Sequence, residues 1–303
     1  MAINSIETAS AYTSELDKML VQKSAVGFMT DNVLRTKFVG AQTVIIPDVE
    51  FVGLADYDKD KGFAKGAVTV SQTHLKLTKD RARQLQIDRE DLDETGISNL
   101  AGQVLSEYVR TNVVPEMDAY VLSKLYGVAD TKGNVTTYNA ETAYSDLVDA
   151  INKVYAVAGY DSELVAFMDS EMYSKLMNSP EISRQIVISD FKQGNIDLQV
   201  RYLNGVAIIP VPDVRMKSDY SYLSNDDDTD TVTGGFEPAE GAKSIHAIIL
   251  PKRAASLVKK TERMSIFTPE QNKDADAYVF NYRLYYDAFV KKSNLDTIFA
   301  ISE

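Results

Sequence analysis

Cysteine and tryptophan are both missing from this chain of 303 residues, and histidine occurs only twice. Without cysteine there is no disulfide framework, no thiolate nucleophile and no sulfur-ligated metal centre. With His74 and His246 as the whole imidazole supply, a histidine triad or multi-histidine metal site has almost no material. Both lie in stretches that read as strands, so a structural or surface role is expected for each. Long apolar runs are missing too, and none approaches the ~18 residues needed to cross a bilayer. The opening MAINSIETAS has neither the basic region nor the apolar core of a secretory signal. Walker, GxGxxG, GxSxG and HExxH patterns do not occur. Positive charge is in deficit, with 32 Lys and Arg against 44 Asp and Glu for a formal net charge of −12. That balance argues against a dedicated nucleic-acid binder, which carries a basic footprint.

What remains is a foldable composition, 45% hydrophobic and 25% charged, organised around one stretch. From Thr95 to Asp130, apolar residues recur at Ile97, Leu100, Ala101, Val104, Leu105, Tyr108 and Val109, then at Val113, Met117, Tyr120, Val121 and Leu125. These three- and four-residue steps predict an amphipathic helix. Asp91, Asp93 and Glu94 complement the dipole at its start, Gly127 lies near its end, and Pro115 should kink or restart it. At 1.5 Å per residue the helix spans about 45–50 Å, a spine for an elongated molecule.

Before the spine, the β-branched run Thr43–Val52, with Pro47 marking an edge or bulge, is answered by Ala67–Leu77. Between them Gly53–Gly66 balances Asp56, Asp58 and Asp60 against Lys59, Lys61 and Lys65. The result is a long β-hairpin whose tip has almost nothing to bury. An isolated two-stranded hairpin is marginal in water, so this one is expected to dock on a neighbour. The segment Thr78–Gly96 reads as a salt-bridge-edged strand, with Arg81, Arg83 and Arg89 among Asp80, Asp88, Glu90 and Asp91. A phosphate clamp is the alternative. After the spine, helices and strands alternate. Asp169 or Ser170 caps a short helix that Pro180 stops, and a hairpin turns at Asn204-Gly205, the pair that favours a type I′ turn. From Ser244 the chain returns mostly to strands.

Acidic residues concentrate between Lys217 and Lys243, where no basic residue occurs. Asp226, Asp228, Asp230 and Glu237 match positions 1, 3, 5 and 12 of a calcium loop. Thr231 stands where the turn needs glycine and Pro238 where a helix should begin, so a solvated acidic loop is the expectation.

The order of arm, charged-tip hairpin, spine, α/β lobe and closing strands resembles the major capsid proteins of tailed bacteriophages, the Hong Kong 97-type fold. DRARQLQIDREDLDETG before the spine, VVPEMDAYVLSKLYG within it, YLNGVAIIPVP in the lobe and IFTPEQNKDADAYVFNYRLYYDAFV near the end carry the resemblance over nearly the whole chain. It implies an α+β fold. Residues 1–40 would be an N-terminal arm, 41–78 an extended loop over an adjacent subunit, 79–134 and 244–303 a peripheral domain with the spine, and 135–243 an axial α/β domain.

The implied role is a structural subunit of an icosahedral head shell enclosing double-stranded DNA without sequence-specific binding. No catalytic residue, cofactor, metal or membrane is implied. The implied partners are copies of the chain in pentamers and hexamers, a portal and a separate scaffolding protein. The implied location is the virion, assembled in the host cytoplasm. The residues expected to touch a neighbour are Tyr57, Lys59, Lys61, Phe63 and Lys65 at the hairpin tip. The rival readings are an encapsulin-type compartment and a soluble carboxylate- or calcium-dependent enzyme built on the acidic loop.

Overall fold

The apolar steps of the central stretch do produce one helical rod. The structure, a computed structural model, describes residues 24–30, 37–39, 43–53, 55–57, 59, 65–66, 68–90, 100–178, 186–193, 196–223 and 234–303. Within it, helix α1 (Leu100–Tyr108) runs through a π-helical turn (Val109–Val113) into α2 (Val114–Thr131). The π turn ends two residues before Pro115, whose missing N–H and bulky ring disturb the ordinary ladder. The Val114 N–H bonds the Val109 carbonyl, five residues back. Thr111 Oγ1 donates to the Glu107 carbonyl at 2.8 Å, so a side chain shares in the repair. Pro115 therefore widens one turn without ending the rod. Gly127 does not end it either. Val128 and Ala129 continue the packed face, and the helix stops at Gly133, whose φ of 71° is left-handed. The acidic residues 91–94 lie outside the described residues.

A seven-stranded mixed sheet lies against this rod. It is built from β5 (Val135–Thr137), β6 (Leu164–Met168), β7 (Ile186–Gln193), β8 (Ile196–Leu203), β9 (Val206–Pro210), β12 (Ile245–Pro251) and β15 (Phe299–Ser302). Their order is β5-β15-β12-β6-β9-β8-β7, with β5–β15 and β6–β9 parallel and the other pairs antiparallel. The sheet thus takes strands from both sides of residue 243.

Both of its faces are covered, which is why β6 reads as an unbroken apolar run. Val165 and Phe167 join the core against the spine, while Leu164, Ala166 and Met168 face α3 (Ala143–Ala158) and α4 (Ser170–Asn178). At the β8–β9 turn, Asn204 (φ 51°) and Gly205 (φ 83°) both take left-handed backbone, as a type I′ turn demands.

The spine also packs on a second sheet. There β14 (Ala277–Val290) lies between β13 (Ala255–Phe267) and β4 (Lys79–Asp88), all antiparallel. Tyr282, Leu284, Tyr286 and Ala288 of β14 enter the same core as the spine's Val114, Met117, Val121 and Leu125. The ends of the acidic segment are strands, β10 (Tyr220–Leu223) pairing β11 (Gly235–Pro238). Tyrosine pairs line this seam. Tyr120 meets Tyr286 and Tyr222 edge to face at 5.6 and 6.1 Å, and Lys79 Nζ sits 3.4 Å from the Tyr222 ring centre.

Candidate assembly surfaces

Among the described residues the hairpin belongs to a sheet of its own, hydrogen-bonded to neither of the two sheets packed on the spine. β2 (Thr43–Phe51) and β3 (Val68–Lys76) pair without a slip from Thr43↔Lys76 to Phe51↔Val68, giving an arm about 30 Å long at ~3.4 Å per residue. Among the described residues β1 (Lys37–Val39) lies opposite 43–45 and Pro47 pairs with Gln72 of β3. At the far end, Val68 of β3 is 59% exposed, and beyond the strands Val52 and Tyr57 are 69% and 60% exposed, with Lys59 and Lys65 exposed too. Lys61 and Phe63 lie outside the described residues. His74 sits on β3 opposite Ile45.

At its base the hairpin is tied down. Val44 and Leu77 are buried with Val258 and Tyr285, and Phe289 packs on them. Thr78 gives its N–H and its hydroxyl to Asp287 Oδ2, at 3.1 and 2.9 Å. Asp287 Oδ1 accepts from Tyr120 OH at 2.8 Å and Lys124 Nζ at 2.5 Å, both on the spine. A second buried carboxylate, Asp118 of the spine, holds the start of the described N-terminal segment. It accepts from Ser24 Oγ (2.5 Å), Ala25 N (3.0 Å) and Arg215 Nη1 (3.0 Å). Arg81 of β4 is used within the subunit. Arg81 grips Glu116 of the spine with two bonds and also donates to the Leu223 and Gly235 carbonyls.

These two carboxylates are the polar groups that the sequence reading missed. Asp118 lies on the spine's apolar face, one residue after Met117, and Asp287 interrupts the run YYDAFV. An acid inside an otherwise apolar period was the available signal, because a buried charge must be paired to be tolerated.

His246 is buried. Its Nδ1 lies 2.7 Å from Asp169 Oδ2, and its ring stacks on Tyr138 at 3.8 Å. Burial works to lower its pKa, but the carboxylates of Asp169, Glu171 and Glu303 together outweigh that and the net direction is upward. Asp169 Oδ1 meanwhile caps α4 through the Met172 N–H at 2.8 Å. Asp213 caps the same helix from outside, accepting from Ser170 N at 2.9 Å and Ser170 Oγ at 2.6 Å.

Those Ser170 bonds, first the hydroxyl and then the backbone, hold the Asp213 carboxyl below its ordinary value. Its stabilising effect is present above the unfolded carboxylate pKa and is lost as pH falls through the depressed folded value. Because water screens this exposed carboxylate, Asp213→Asn is expected to cost only about 0.5 kcal/mol at pH 7 and nothing in acid where Asp213 is protonated. Paired urea melts across that range check it.

Asp226, Asp228 and Asp230 lie outside the described residues, and Glu237 sits on β11 opposite Ser221. Among the described residues no group of three or more acidic or imidazole side chains is gathered to hold a metal ion, and no helix is long and apolar enough to cross a membrane.

No protein-family model and no curated protein sequence matches the chain. Solved structures do. The capsid structure of the cyanophage P-SCSP1u is 11% identical with a TM-score of 0.56, covering 88% of this chain and 84% of that one. This is the Hong Kong 97-type capsid fold. The capsid of Staphylococcus phage Andhra shares it at 12% identity and a TM-score of 0.53, over 88% of this chain and 81% of that one. So does the mature capsid of bacteriophage PhiM1, at 13% identity and a TM-score of 0.52, over 86% and 82%.

Proposed function

We propose that the chain is the structural shell subunit of a tailed bacteriophage or prophage head and has no catalytic activity. Many copies would assemble into an icosahedral container around packaged double-stranded DNA. The observation that carries this reading is a hairpin about 30 Å long, anchored at one end and exposed at the other, on a body of capsid fold. A free monomer gains little from such an arm, whereas a neighbouring copy can cover it in a heterologous contact that closes into a shell. Tyr57, Lys59, Lys61, Phe63 and Lys65 are the proposed contact residues. The sheet of β4, β13 and β14 with the spine forms the proposed peripheral unit. The α/β part of 135–243 forms the axial one, which enrols β12 and β15 through the shared sheet. Acidic balance suits a wall that holds DNA without gripping it. A separate scaffolding protein and a portal are the further partners in this reading, with assembly in the host cytoplasm and the virion as destination.

Expression of the full chain, followed by negative-stain electron microscopy and light scattering, tests it. Closed shells, tubes or rings of five or six subunits are expected. A chain that stays monomeric or dimeric at high concentration, alone and with its scaffold, would overturn the reading.

A further inference from the structure

We propose that Asp287 is a positioning residue that fixes the direction in which the hairpin leaves the subunit, and thereby the uniformity of the assembled shell. The inference rests on the shell reading above and adds to it the residue that sets the contact's geometry. Only Leu77 and Thr78 separate the end of β3 from the start of β4. β4 is held in register on β14 from Lys79↔Tyr286 onward, so its direction is set by the sheet. The direction of β3 is set by what happens at those two residues. Leu77 sits in the small apolar cluster, and Thr78 is held by the Asp287 carboxylate at both its N–H and its hydroxyl.

Apolar contact alone is non-directional and tolerates sliding. The carboxylate does not. It is buried, with its side chain 1% exposed, and takes five donors: Thr78 N, Thr78 Oγ1, Tyr120 OH, Lys124 Nζ and the Ala288 N–H at 2.7 Å. A buried group with that many donors has one satisfactory geometry, since any rotation leaves a polar atom unpaired. Tyr120 OH also lies 2.9 Å from Thr78 Oγ1, so spine, strand and hairpin base meet in one triangle. Leverage makes the joint matter: over a lever of about 30 Å, a change of about 10° at the base moves the tip by about 5 Å. That displacement is larger than any hydrogen-bonded contact can follow.

The test uses the full chain with Thr78→Val, which keeps the shape and removes the hydroxyl donor, and Tyr120→Phe, which removes the spine's hydroxyl. Hydrogen exchange is read at residues 43–46 and 74–78 and, as internal control, at 114–131. Each variant is expected to exchange about tenfold faster at the hairpin base and unchanged in the spine, because a bond to a charged acceptor has been lost there. Their particles are expected to span several sizes or stay open under conditions that give one wild-type size. Unchanged exchange at the base in both variants, or uniform wild-type-sized shells from both, overturns the proposal. The exchange measurement needs no shell. If the wild-type chain never assembles, the shell reading fails while the joint is still judged on its own.

Discussion

A subunit in which residues 52–67 are replaced by Asn-Gly is expected to fold and melt like the wild type and to form no closed shells. The replacement is geometrically compatible, because Phe51 and Val68 are directly opposed and a two-residue type I′ loop closes such a pair. The folded monomer loses little. Val52, Gly53, Ala55, Asp56, Tyr57, Lys59, Lys65 and Gly66 are all exposed, so their removal takes no described side chain from a core. Shortening the loop from sixteen residues to two is three halvings, which lowers the closure cost by about 2 kcal/mol at most. The melting temperature should therefore stay level or rise by a few degrees. What disappears is the surface that a neighbouring copy would cover. Thermal melts beside electron microscopy separate the two effects. Closed shells of normal size from this variant would place the contact between copies elsewhere than on Tyr57, Lys59, Lys61, Phe63 and Lys65.

The features legible in the sequence were those with a local period. The spine showed itself because a helix repeats its buried face every three or four residues, and the β8–β9 hairpin because Asn204 and Gly205 are the residues that tolerate φ > 0 in sequence. The strand β4 was legible for the same reason: its burial alternates along all ten residues. Strand order was not legible. That β15 lies between β5 and β12 depends on partners far apart in the chain, and no window of sequence carries that information. Pro115 announced a disturbance without its form. Whether the helix kinks, stops or widens into a π turn depends on the packed residues on either side, here Val109 and Val114, both buried. The polar joints were hidden for a further reason. Among 44 acidic residues, Asp118 and Asp287 differ from the rest only in what the fold brings to them. Ser24 and Arg215 approach Asp118 from about ninety residues away on either side, and Thr78 approaches Asp287 from more than two hundred.

Asp118→Ala is expected to be among the most damaging single substitutions in the chain, at about 3–5 kcal/mol. The wild-type carboxylate is fully buried, and its loss leaves the Ser24 hydroxyl, the Ala25 N–H and the Arg215 guanidinium facing a cavity. The charge is the largest of these costs, because Arg215 is itself mostly buried. Adding Arg215→Met to the alanine variant should therefore recover part of the loss, since it replaces a stranded charge by an apolar chain of similar length. A mechanism based on cavity volume alone predicts no such rescue.

The pH dependence of the Asp118 effect has the opposite sign to that of Asp213. Burial pushes the Asp118 carboxyl up, against the pull of Ser24, Ala25 and Arg215. Its folded pKa then lies above its unfolded one, so the folded state holds this proton more tightly. The advantage of wild type over Asp118→Ala should be greatest in acid and shrink as pH rises from the ordinary carboxylate value through the raised one. Urea melts of the two proteins from acid to neutral pH measure that difference directly. A gap that widens towards neutral pH would mean that the three donors outweigh burial and that Asp118 is held as a carboxylate throughout. The spine would then hold the N-terminal segment by a fixed charge.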